Sequence, residues 1–205
     1  MESNPELELA WQLVEYTGVN VFLTGKAGSG KTTFLRSLRE RSTKRMVVLA
    51  PTGVAAMNAG GVTIHSFFQL PFAPFVPESH FGGEAKYQYR FGKEKVNILR
   101  SLDLLVIDEI SMVRADLLDS VDDVLRRYRD RHKPFGGVQL LMIGDLQQLS
   151  PVVKEQDQQL LSPYYDHFYF FGSHALAQAG YVTVELTKVY RQSNAEFLNL
   201  LNCIR

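Results

Sequence analysis

Short apolar runs rich in β-branched residues recur at 19–25 (VNVFLTG), 45–51 (RMVVLAP), 103–109 (DLLVIDE), 138–145 (VQLLMIGD) and 181–187 (YVTVELT). They are continuous rather than alternating, as expected of strands buried on both faces of a parallel sheet. Helical periodicity appears between them. From Asp116 to Tyr128, apolar residues fall at 117, 118, 121, 124, 125 and 128 with charges elsewhere, which predicts an amphipathic helix lying on the sheet. A similar face, Phe197, Leu198, Leu201 and Ile204, begins near Asn194 and meets no stop signal, as in a helix that is cut short. The pattern predicts an α/β fold with a mainly parallel sheet and helices on both faces.

Two stretches break the alternation. Residues 50–68, APTGVAAMNAGGVTIHSFF, are too short and glycine-broken for a good helix, yet too apolar for ordinary loop filler. Residues 71–95 hold three prolines, a glycine pair and many aromatics, a composition suited to a hairpin or small insert. The expected organisation is one domain over 1–70 and 96–205, interrupted by a subdomain at 71–95.

Composition narrows the class. With 205 residues, 45% hydrophobic and 21% charged, the chain has enough material for one domain with a real core. The 22 basic and 22 acidic residues cancel, so any contact with nucleic acid must come from a local surface. Cys203 is the sole cysteine and fits a reducing compartment. The acidic N-terminus is unlike a signal peptide, and no apolar run reaches membrane-spanning length. The expectation is a soluble intracellular protein with no membrane partner: cytoplasmic in a bacterium, nuclear or mitochondrial in a eukaryote.

The sharpest chemistry is Gly25-Lys26-Ala27-Gly28-Ser29-Gly30-Lys31-Thr32, a G-x-x-x-x-G-K-[ST] loop between an apolar strand and a helix-forming run, with Thr33 next. Its amides face phosphate oxygens, Lys31 brings positive charge to the β- and γ-phosphates, and the Thr32 hydroxyl suits Mg²⁺, so the expected ligand is MgATP. At the end of the third apolar run, Asp108 is placed to hold the metal through water and Glu109 to activate an attacking water. That adjacent base favours hydrolysis over phosphoryl transfer to a small molecule. Gln148, in GDLQQLSPV, suits a γ-phosphate sensor or a solvated turn. Arg191, in LTKVYRQ, suits transition-state stabilisation or a surface ion pair. Gln12, ahead of the loop, is a candidate adenine reader or a plain surface glutamine.

Taken in order, GKAGSGKTT, APTGVAAMNAGGVTIHSFF, VIDEISMV, GDLQQLSPV and LTKVYRQ resemble motifs I, Ia, II, III and IV of the petite-integration-frequency (Pif) DNA helicases, RecD relatives in superfamily 1B. The resemblance covers about residues 19–192. It implies a RecA-like P-loop NTPase lobe that couples ATP hydrolysis to 5′ to 3′ movement on single-stranded DNA, a monomer acting at forks with a second RecA-like lobe in the same parent chain. It also implies DNA contacts at Thr52, Gly53, His65 and Ser66, and a strand-separating wedge at 71–95 with Tyr87 and Arg90 as its candidate contacts. On the residues alone, small side chains and hydroxyls admit a phosphodiester and His65 can donate or stack. Ile64, Phe67 and Phe68 read as core, and the insert's aromatics fit a mini-core equally well. Arg126 to Lys133, RRYRDRHK, reads as the solvated cationic end of a helix. Two other functions fit the phosphate loop: an AAA-type ATPase of the clamp-loader or transposition kind, and a nucleotide- or DNA-binding lobe without turnover.

Overall fold

In the computed structural model, residues 4–77 and 91–190 are described. Six strands form one sheet: β1 (Val21–Gly25), β2 (Met46–Ala50), β3 (Val62–Thr63), β4 (Leu104–Ile107), β5 (Gln139–Gly144) and β6 (Val182–Leu186). Their order is β3-β2-β4-β5-β1-β6, and every pair is parallel. The five continuous apolar runs are five of these strands. β3, only two residues long, carries no periodic signal in the sequence.

Alternate strand residues feed opposite faces, each packed against helices. On one face, Val21, Leu23, Leu104, Val106, Leu141 and Ile143 pack with Ala10 and Val14 of α1 (Pro5–Tyr16) and Phe34, Leu35 and Leu38 of α2 (Lys31–Arg41). On the other, Phe22, Leu49, Leu105, Ile107, Leu140 and Met142 meet α4 (Ile64–Phe68), α5 (Lys93–Ser101), α6 (Ala115–Tyr128) and α8 (His174–Ala179). Two helices flank these groups, α3 (Gly53–Ala59) before β3 and α7 (Glu155–Leu161) after β5. The α6 helix matches the sequence periodicity, and its acidic positions serve the packing. Buried Asp119 accepts hydrogen bonds from the Tyr165 hydroxyl (2.8 Å), the Ser173 hydroxyl and the amides of His174 (3.2 Å) and Ala175 (3.0 Å), tying α6 to the start of α8.

Some details depart from the sequence reading. Residues 50–68, too glycine-broken for one good helix, contain two short ones. Thr52 accepts from Ala55 N at 3.2 Å to start α3, which ends on left-handed Gly60, and Thr63 accepts from Ser66 N at 3.2 Å to start α4. Local caps therefore make helices where glycine spacing argued against them. The boundary at 95 falls inside α5, which begins at Lys93 and anchors Leu99 in the core. The basic run at 126–133 is solvated at Arg127, Arg131, His132 and Lys133, as expected of a cationic helix end, and is also anchored: Arg126 and Arg127 pair with Asp122 (2.7 Å) and Asp123 (2.9 Å), while Arg129 donates to the Leu99 and Arg100 carbonyls at 2.7 Å.

As foreseen, Ile64, Phe67 and Phe68 are buried. Most of the insert lies outside the described residues, as do Tyr87, Arg90, Arg191, Cys203 and the C-terminal amphipathic run.

Candidate nucleotide site and second pocket

The strand order builds the site. β5 lies between β4 and β1, and β6 lies on the far side of β1, so loops leaving their carboxyl ends share one rim. Registers align the tips, with Thr24 opposite Gly144, Gly25 opposite Leu186 and Ile107 opposite Met142.

The phosphate loop starts on a crowded glycine. Gly25 has φ +149°, and a Cβ there would meet the Leu186 carbonyl at 2.7 Å and Ser29 Oγ at 2.8 Å. Gly30, φ +103°, gives the left-handed entry to α2, whose first turn carries Lys31, Thr32 and Thr33. Lys31 Nζ donates to the Gly25 carbonyl and, at 3.2 Å, to that of Lys26. Ser29 is buried, and its hydroxyl has no partner among the described residues.

A cavity of about 660 Å³ opens above this loop. Ala27, Gly28, Gly30, Lys31, Thr32 and Thr33 line it from one side, Glu109 and Gln148 from another, and Asn4, Leu7, Lys188 and Tyr190 close it. Asp108 and Glu109 follow β4, the acidic turn being held by the Glu109 amide donating to Asp108 Oδ1 at 3.0 Å. Burial raises the Asp108 pKa against the opposing pull of that amide and of Lys31. Burial and then the Asp108 charge raise that of Glu109, Lys31 opposing and Asp145 adding a little. Gln148 is held by Nε2 donating to Asp145 Oδ2 at 3.1 Å.

Gln12 is not part of this cavity. It is exposed on α1 and bonded to Glu8 at 3.3 Å, because α1 points its N-terminal end, not its middle, toward the rim. The residues that do reach the cavity there, Asn4 and Leu7, escaped the sequence reading, as did Lys188 and Tyr190. Asn4 caps α1 and donates from Nδ2 to the Tyr190 hydroxyl at 3.0 Å, and Tyr190 N donates to the Gly28 carbonyl at 2.9 Å. An N-cap pattern, Asn-Pro-Glu, was the available signal.

A second pocket of about 460 Å³ contains Thr52 and His65, with Phe72, Phe75, Arg114, Asp116 and Val152 among its walls. His65 stacks on exposed Phe72, ring centroids 4.8 Å apart. Burial and the nearby Arg114 charge lower the His65 pKa, with Asp116 opposing, so the ring favours its neutral form. Gly53 begins α3 with open space around it, and Ser66 is exposed on α4; neither lines the pocket.

The magnesium ion expected with ATP fits this donor set. Thr32 and Asp108 offer one hydroxyl and one carboxylate beside the phosphate loop, and no cluster of three metal-ligating side chains occurs among the described residues. Mg²⁺ beside a nucleotide draws most of its ligands from phosphates and water, so one or two protein donors suffice. No helix among the described residues is long and apolar enough to cross a membrane.

Known proteins share this fold. The chain is 40% identical over 194 residues to the Homo sapiens ATP-dependent DNA helicase PIF1, covering 92% of this chain and 27% of that protein. It is 36% identical over 197 residues to the Saccharomyces cerevisiae PIF1 helicase, covering 92% and 21%. The crystal structure of the Bacteroides Pif1 helicase in complex with ADP-AlF3 and ssDNA superposes with a TM-score of 0.91 at 48% identity, covering 100% of this chain and 46% of that one. The Candida albicans Pif1 structure gives 0.73 at 33% identity, covering 98% and 44%. This chain thus spans less than half the length of these relatives. The family model described as PIF1-like helicase matches residues 8–201, from within α1 to beyond β6, and the chain belongs to that family.

Proposed function

We propose that this chain is the first motor lobe of an ATP-dependent 5′ to 3′ DNA helicase, binding and hydrolysing MgATP and contacting single-stranded DNA. The observation that carries the reading is the convergence of Lys31, Thr32, Glu109 and Gln148 on one cavity at the carboxyl rim of a parallel sheet.

In this reading the amides of the phosphate loop and the Lys31 ammonium neutralise the phosphates. Thr32 and Asp108 would hold magnesium, which supplies charge stabilisation on the phosphates. Glu109 accepts the proton of the attacking water, its raised pKa bringing its basicity nearer to that task. Gln148 exchanges its bond to Asp145 for one near the γ-phosphate, and Arg191 adds positive charge to the transition state. The second pocket takes the DNA strand, with Thr52 donating to phosphate and the His65–Phe72 pair offering a stacking surface. A second RecA-like lobe from the same parent chain closes the cleft, the working partners are single strands and forks, and the active species is a monomer.

A second reading is a nucleotide- and DNA-binding lobe that does not turn over ATP by itself. Phosphate release measured with and without single-stranded DNA separates the two. Stimulation by single strands that disappears in Lys31→Ala supports the motor; nucleotide and DNA binding with no phosphate release supports the passive lobe.

A further inference from the structure

Two stretches of chain leave the nucleotide cavity toward the pocket of Thr52 and His65, and both end on one guanidinium. The first is the turn after Glu109. Met112 N donates to the Glu109 carbonyl at 3.1 Å and Val113 N to that of Ile110 at 2.9 Å, delivering Arg114 to the head of α6. The second runs from Gln148 past Val152, a wall of the second pocket, to Asp157 on α7.

Arg114 joins them. Its Nε and Nη2 donate to the two oxygens of Asp116 at 2.8 and 2.7 Å, and its Nη1 donates to Asp157 at 2.8 Å. The Asp116 side chain is 2% exposed and also accepts the Phe75 amide at 3.0 Å, fixing another wall of the pocket. A planar fork with donors on several edges makes such a junction, and the single ammonium of lysine does not reproduce it. Nε, Nη1 and Nη2 each donate to a carboxylate, so the guanidinium ties protein segments together.

We propose that Arg114 is a positioning residue that couples the nucleotide cavity to the DNA-facing pocket, making the acidic turn, α7 and the Phe75 wall move together. The inference rests on the functional reading of the two pockets.

The test compares the affinity of the chain for an oligothymidylate of about 12 nucleotides with and without a non-hydrolysable ATP analogue and magnesium. The wild type is expected to show a ratio of about five or more between the two states. Arg114→Lys keeps a cation against both carboxylates but loses the fork, and Asp157→Asn releases only the α7 arm. Both are expected to bring the ratio to within about two-fold of one, while affinity for the analogue alone and the melting temperature stay near wild type. A purely structural role would lower both affinities and the melting temperature together and leave the ratio unchanged. Wild-type ratios in both variants overturn the assignment of Arg114 alone. A wild-type chain that binds the analogue but not the oligonucleotide overturns the DNA reading and this inference with it.

Discussion

Replacing Glu109 by glutamine separates the charge of the acidic turn from its shape. Glu109 has φ +52° and ψ +43°, a left-handed backbone that costs a non-glycine residue about 1–2 kcal/mol. Glutamine bears the same backbone requirement, so the substitution acts on charge and proton chemistry. The folded protein raises the Glu109 pKa above its ordinary value of 4.5, chiefly by burial and by the Asp108 charge. A carboxyl with a raised folded-state pKa favours the fold at low pH, and that contribution is lost as pH rises through the folded pKa. At pH 7 the native charge is therefore a net cost, and Glu109→Gln is expected to raise the melting temperature, with the advantage disappearing below about pH 4. Turnover moves the other way. Loss of a general base costs typically 10² to 10⁴ in rate, about 3–5 kcal/mol of barrier. The assays are phosphate release with single-stranded DNA, affinity for a fluorescent ATP analogue, and melting at pH 7 and at low pH. Undiminished phosphate release would refute the role of base, and a lower melting temperature at pH 7 would refute the electrostatic argument.

Asp119→Ala strands two hydroxyls and two amides in the α6–α8 junction, and chemical denaturation is expected to show a loss of about 3–5 kcal/mol. Asn4→Ala removes the cap of α1 and the bond to Tyr190, so ATP affinity should fall about five-fold, whereas Gln12→Ala should leave it unchanged in the same titration. His65→Ala is expected to weaken single-strand binding by about 1–3 kcal/mol in fluorescence anisotropy while nucleotide affinity is kept.

The central strands were legible because burial on both faces leaves its trace on every residue, whereas edge strand β6 is buried only at Val184 and Leu186. Val21 to Leu23 and Leu104 to Ile107 are all buried, and no polar position interrupts them. The phosphate loop and the acidic turn were legible because their chemistry is local, with spacing alone fixing where Lys31, Thr32, Asp108 and Glu109 fall. What escaped depends on distant partners. β3 exists because Val62 and Thr63 pair with Leu49 and Ala50, which no feature of two isolated residues announces. Asn4 and Tyr190 meet across nearly the whole sequence, and only the placement of β6 beside β1 brings them together. Gln12 lies outside the cavity for the opposite reason. Its amide suits the task, but residue type carries no information about which end of α1 reaches the rim. The ion pairs of Arg126 and Arg127 escaped because their partners, Asp122 and Asp123, lie one turn earlier and read as surface charge themselves.

The same distinction explains how the polar side chains of the cavity are held. Lys31 is fastened to the Gly25 and Lys26 carbonyls, Gln148 to Asp145, and Asn4 to Tyr190. Each bond is formed inside the protein by a group whose proposed task lies with the nucleotide. A polar group left without a partner in a half-buried cleft costs about 1–3 kcal/mol, so these internal bonds stabilise the cleft, and a ligand gains only by offering something stronger. Triphosphate oxygens do so for Lys31, because they set a full negative charge against an ammonium whose present acceptors are neutral carbonyls. Gln148 faces a different balance, since its present acceptor, Asp145, is itself a carboxylate. An exchange there needs an anionic acceptor at the position the γ-phosphate of ATP would take, which ADP leaves empty. On the proposed function, moving this one amide from Asp145 to the γ-phosphate is what would let the site distinguish ATP from ADP.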